Sequence, residues 1–116
     1  MSMAETLKIS SQGSGLPLVF IHGWGLNSAV WQPSVEVLKE NFEVITIDLP
    51  GFGANVDQPL APYTLAKSAA LVQQAVAKPA VYIGWSLGGL VACEIALNFP
   101  EKVRALVTVA SSPCFV

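Results

Sequence analysis

The sequence predicts an α/β protein with a mostly parallel sheet and helices on both faces, and three observations carry that prediction. Residues 18–21 and 80–83 form short, uninterrupted apolar runs, and 44–47 form a third strand broken only by Thr46. They lack the polar alternation of a strand with one wet face, so both faces are covered, as in parallel sheets. Amphipathic segments of helical length stand between these runs, which makes successive β-α-β units. Charged residues are 12% and hydrophobic residues 53% of the 116, too little polar surface for a small domain standing alone. The length bounds the chain at one domain.

Each element has a local reason. Residues 5–10 alternate weakly and suit a first edge strand, and the Ser- and Gly-rich residues 11–15 form a turn. The strand at 18–21 ends in His22-Gly23-Trp24-Gly25. Asn27 and Ser28 can cap a short helix through Trp31, and Pro33 can start a second that runs to about Glu40. The strand at 44–47 closes in Asp48-Leu49-Pro50-Gly51-Phe52-Gly53, and residues 54–62 are loop. Tyr63-Thr64 start a helix to about Ala77, with Leu65, Ala69, Val72 and Val76 on one face. A strand at 80–83, a helix at 87–98 and a strand at 104–110 follow, ending in Ser111-Ser112-Pro113.

Several classes are disfavoured. No run approaches the ~18 apolar residues of a membrane helix. The net charge is −2 with no basic cluster, which argues against nucleic acid as a partner. Residues 1–15 lack an apolar core of signal-peptide length, so a cytoplasmic protein is expected. Cys93 and Cys114 show no metal spacing and read as buried free thiols. Neither a metal nor a cofactor is called for.

In parallel sheets, ligands bind beyond the carboxyl ends of the strands. That places His22-Gly23-Trp24, Asp48-Leu49-Pro50, Ser86 and Ser111-Ser112 along one edge. There Gly84-Trp85-Ser86-Leu87-Gly88, set between strand and helix, is the G-x-S-x-G turn of a nucleophile elbow. Glycines at 84 and 88 have a steric purpose, because strand and helix nearly touch. Ser86 is the candidate nucleophile, near the positive end of the following helix. A serine hydroxyl needs a base to take its proton, and the transition state needs donors for the oxyanion. The Leu87 N–H is one such donor, and the Trp24 N–H is the natural second. The Trp24 ring can wall an acyl pocket, while Trp85 either lines that pocket or simply packs. Ser111 and Ser112 end a strand at the active edge, where substrate contact and a turn role both stand open. The base is missing. No histidine follows Ser86, and Glu94 and Glu101 read as solvated carboxylates. His22, the sole histidine, lies upstream and suits holding the oxyanion loop by hydrogen bonds. Asp48 reads as a loop cap, Trp31 as core and Asp57 as solvated.

Four stretches occur in one order: His22-Gly23-Trp24-Gly25-Leu26-Asn27, residues 48–53, Gly84 through Ala92, and Ala105 through Phe115 with its Ser111-Ser112-Pro113-Cys114. Together they resemble the pimeloyl-acyl-carrier-protein methyl ester esterases of biotin synthesis, within the α/β-hydrolase superfamily. The resemblance runs from about Leu18 to Phe115. It implies an α/β-hydrolase fold truncated after about the sixth strand. Residues 1–116 would be the amino-terminal part of a single domain, with lid and carboxyl-terminal strands absent. It also implies a carboxylesterase that forms an acyl-enzyme on Ser86, with Trp24 and Leu87 contacting the substrate carbonyl. The substrate would be pimeloyl-acyl-carrier protein methyl ester, the full-length form a monomer, and no cofactor is needed. The catalytic aspartate and histidine would lie beyond Val116, and the surface for the acidic carrier on the lid. Ala54-Asn55 departs from related hydrolases, which often carry serine after the matching Gly53. Two other readings stand: a general short-chain carboxylesterase or perhydrolase, and a non-catalytic truncated fragment that exposes the 104–110 strand as an apolar edge and self-associates. Dehalogenases and epoxide hydrolases need an acid where Ser86 stands.

Overall fold

The computed structural model describes residues 7, 9–23, 28–49 and 65–109. Five strands, β1 (Ile9–Gln12), β2 (Leu16–Ile21), β3 (Phe42–Ile47), β4 (Ala80–Trp85) and β5 (Val103–Val109), form one sheet in the order β1-β3-β2-β4-β5. Only β1 runs antiparallel to its neighbour; the β2·β3, β2·β4 and β4·β5 pairs are parallel. Between strands stand α1 (Gln32–Leu38), α2 (Leu65–Ala75) and α3 (Leu87–Asn98). This is the expected class.

The apolar runs are explained by what covers each face. On one face, Leu18 and Phe20 of β2 and Val44 of β3 bury against Val35 of α1. On the other, Val19, Ile21, Ile45, Ile47 and Tyr82 pack with Ala69 and Val72 of α2 and Val91 and Ile95 of α3. Burial of each such side chain contributes about 1.5–3 kcal/mol. The predicted face of the 65–75 helix holds, with Ala69, Val72 and Val76 buried. None of the helices among the described residues is long and apolar enough to cross a membrane.

Several boundaries and one cysteine differ from expectation. β1, described over Ile9–Gln12, continues through Ser11 and Gln12, which pair with Ile45 and Val44. Ladder bonds use the backbone, so polar side chains do not end the strand, and the Ser11 hydroxyl donates to the Glu43 carboxylate at 2.9 Å. The segment 28–31 is a 3-10 turn, Ser28–Trp31. α2 stops at Ala75, because the Lys102 ammonium, from the 3-10 turn Pro100–Lys102, takes the Val76 carbonyl at 2.9 Å and supplies the cation that a helix carboxyl end favours. Cys93, in α3, is disulfide-bonded rather than a free thiol. Its burial fits the expected environment, but composition does not report oxidation state. The other cysteine of the sequence, Cys114, lies outside the described residues. β5 lies at the end of the strand order, with Val107 and Val109 45% and 46% exposed.

Tyr82 is completely buried, and its hydroxyl has no hydrogen-bond partner. Burial pushes its pKa up to about 12. A buried hydroxyl without a partner costs stability. Tyr82→Phe should therefore leave the urea-unfolding free energy unchanged or raise it by about 1 kcal/mol; a clear loss would mean that the hydroxyl has a partner.

Candidate active site

Ser86 joins β4 to α3 at φ 56°, ψ −115°, and it is the one non-glycine residue at positive φ among the described residues. Such a conformation costs about 1–3 kcal/mol, so the surroundings must hold it. Three backbone bonds do. The Ser86 N–H donates to the Val109 carbonyl at 2.9 Å, and its own carbonyl accepts from the Gly89 and Leu90 N–H groups at 2.9 and 3.3 Å. Steric fit does the rest. A Cβ on Gly84 would run into the Gly88 carbonyl, and one on Gly88 would run into the carbonyls of Ile21 and His22. The first turn of α3 thus rests on the carboxyl end of β2. Ser86 is exposed at this edge, and its side chain does not cap its own helix.

His22 follows β2 directly and is fully buried. Its Nδ1 lies 2.7 Å from the Gly23 carbonyl, and the Leu49 N–H donates to its Nε2 at 2.8 Å. A carbonyl only accepts and an N–H only donates, so Nδ1 carries the proton and Nε2 the lone pair. The ring is a neutral clip between the segment after β2 and the segment after β3. Desolvation by burial is the largest influence on its pKa and holds it below the ordinary value, against the opposing pulls of the Gly23 carbonyl and the Asp48 charge. The sequence suggested the first half of this clip; the Leu49 anchor carries no sequence signal.

The remaining candidates separate cleanly. Leu87 is the first residue of α3, where a backbone N–H has no helical acceptor behind it. Trp85 ends β4 half-buried, and its ring meets that of Trp31 edge-on, with centroids 6.3 Å apart. Asp48 is buried beside His22. Glu94 binds the Asn98 amide at 3.0 Å, one turn farther along α3, and Glu101 is exposed in the Pro100–Lys102 turn; neither is brought to Ser86. Trp24, Asp57, Ser111 and Ser112 lie outside the described residues. No group of three or more metal-binding side chains occurs among the described residues. Sequence reasoning missed the Val109 carbonyl on Ser86 and the Trp31–Trp85 contact. The first is a backbone bond with no side-chain signature, and the second joins rings far apart in the chain.

Because the folded state favours neutral His22, the unfolded chain binds more protons as the pH drops. The stabilising contribution is complete above about pH 6.5 and declines as pH falls below that value. Urea midpoints from pH 8 to pH 5 should drop in this window, and His22→Gln should flatten the drop while lowering stability throughout. Separately, Gly88→Ala should cost about 2 kcal/mol or more, because the backbone atoms that it meets cannot rotate away; an unchanged midpoint would refute the close approach.

A family model described as the alpha/beta hydrolase fold matches residues 17–116. The pimeloyl-[acyl-carrier protein] methyl ester esterase of Vibrio campbellii is 51% identical over 113 residues, which is 97% of this chain and 44% of the relative. The chain therefore spans less than half the length of that curated relative. Among solved structures, the epoxide hydrolase CorEH superposes with a TM-score of 0.85 at 30% identity, over 90% of this chain and 38% of its own. Est816, described as an N-acyl homoserine lactone degrading enzyme, gives 0.82 at 29%, over 90% and 42%. With its elbow, its parallel sheet and the match over residues 17–116, the chain belongs to the α/β-hydrolase fold family.

Proposed function

We propose that the protein carrying this chain is a carboxylesterase that hydrolyses the methyl ester of pimeloyl-acyl-carrier protein through an acyl-enzyme on Ser86. The strained, exposed Ser86 between β4 and α3 carries this reading, and the motif resemblance and the similarly named relative supply its substrate. The Ser86 oxygen attacks the ester carbonyl carbon and gives its proton to a base. The Leu87 and Trp24 N–H groups hold the developing oxyanion, a contribution of about 3 kcal/mol for such a donor. The tetrahedral intermediate expels methanol, which takes the proton, and water then releases the free carboxylate from Ser86. Trp85 and Ser111 line the acyl pocket. On this reading residues 1–116 are the amino-terminal part of one catalytic domain, working in the cytoplasm as a monomer without cofactor, membrane or nucleic acid.

The general base is not among these residues. Both ring nitrogens of His22, the only histidine in the sequence, are engaged in the clip. On this reading the acid and the histidine come from polypeptide that the 116 residues do not include. The same observation favours a second reading for the isolated chain, a folded but non-catalytic fragment.

Both are tested together. The 116-residue chain and its Ser86→Ala variant should hydrolyse a short p-nitrophenyl ester equally, at background. Fused to the remainder of the Vibrio campbellii relative, the chain should release methanol from pimeloyl-acyl-carrier protein methyl ester, and Ser86→Ala should then cost at least about a thousandfold in kcat. A folded fusion that releases no methanol, or one indifferent to Ser86→Ala, would sink the esterase assignment. A Ser86-dependent rate from the isolated chain would instead mean that it contains its own base.

A further inference from the structure

Three aromatic rings stand in series on the face of the sheet opposite α3. Phe20 of β2 meets Trp31 with centroids 4.9 Å apart at 55°, and Trp31 meets Trp85 at 6.3 Å and 72°, edge to face. Side chains alternate along a strand. Val81 and Ile83 pack against the same buried cluster as Trp31 on this face, and Trp85 continues their row up to the residue before Ser86. Trp31 also closes the 3-10 turn Ser28–Trp31, the first described element after the segment that holds Trp24. One ring therefore links the chain following β2 to the carboxyl tip of β4. The tip of β4 is followed directly by Ser86.

The Trp31 indole N–H is buried without a hydrogen-bond partner. A ring lacking that group would avoid the desolvation penalty, so hydrogen bonding does not account for tryptophan here. Its size and edge contact do. Phe20 is itself buried, so Trp31 is backed by a rigid neighbour, and edge-to-face contact restricts the tilt of the ring it meets. Of the three rings, Trp85 alone adjoins Ser86.

We propose that Trp31 is a positioning residue that fixes the tilt of the Trp85 ring and so determines how well a longer acyl chain is preferred over a short one beside Ser86. The inference rests on the esterase reading for its ligand class, acyl methyl esters, but not on turnover. A pocket wall held in place before the ligand arrives loses less freedom on binding. Longer acyl chains touch more of that wall, so they are the ligands that a loosened Trp85 releases. The shortest acyl groups are indifferent to it.

Equilibrium dialysis of the 116-residue chain against methyl heptanoate and methyl propionate tests this, in a Ser86→Ala background so that no ester is consumed. The unaltered Trp31 should favour the longer ester. Trp31→Leu should cut that preference about tenfold, the lower end of what an apolar pocket gains from one methylene. Trp31→Phe, which keeps a ring at the contact, should restore most of it. Trp31→Leu combined with Trp85→Leu should be no worse than Trp85→Leu alone, because the first acts through the second. The exciton couplet of the Trp31–Trp85 pair in far-ultraviolet circular dichroism should vanish in Trp31→Phe and Trp85→Phe alike, with helical ellipticity retained. No preference for the longer ester, a preference that survives Trp31→Leu, or additive losses in the double variant would overturn the proposal. Failure of the esterase reading shows elsewhere, in hydrolysis that ignores Ser86→Ala, so the two are separable.

Discussion

The rest of the site depends on a contact with no room for a side chain. Where α3 leaves β4, the carbonyl of Gly88 occupies the space that a Cβ on Gly84 would need, and Gly88 itself lies against the carbonyls of Ile21 and His22. Close packing of backbone on backbone makes β2, β4 and the first turn of α3 one rigid body. The position of Ser86 and the departure of the chain after β2 are then set by the same contact. The strain at Ser86 persists because this body, with the Val109 carbonyl on its outer side, leaves the residue no relaxed alternative.

The electrostatics of the site follow from that geometry. A histidine at the carboxyl end of a strand, beside an elbow serine, has the chemistry of a base. Here burial and two fixed hydrogen bonds convert it into a neutral strut. To act on Ser86 it would have to surrender the Leu49 N–H, leaving a buried donor unpaired. The cost of that exchange separates a structural imidazole from a catalytic one, and it could not be judged without knowing where Leu49 sits.

What was legible in the sequence was what burial or sterics write into residue identity. The parallel strands were visible because coverage on both faces leaves runs such as Leu18-Val19-Phe20-Ile21. The elbow was visible because only glycine fits at 84 and 88. Backbone bonding was not legible: nothing in Val109 announces a bond to Ser86, and nothing in Ser11 and Gln12 announces that β1 extends through them. Trp31 read as core, and it does pack against the core, but its second contact belongs to a residue that only the fold brings near. The oxidation state of Cys93 is likewise a property of its surroundings. Trp24 and Ser111, both named from the motifs, fall outside the described residues.

The strand order also governs how such a site comes into being. β2, α1 and β3 are consecutive in the chain and form one β-α-β unit; β4, α3 and β5 form another. Their strands join along β2 and β4, where Leu18 pairs with Val81 and Ile21 with Gly84. Closing that long loop costs chain entropy before any cross-unit contact repays it, so local units form ahead of their union. The serine belongs to one unit and the His22-Gly23 strand end to the other. The strained elbow, which leans on the Ile21 and His22 carbonyls through Gly88, is therefore locked only when the two units dock.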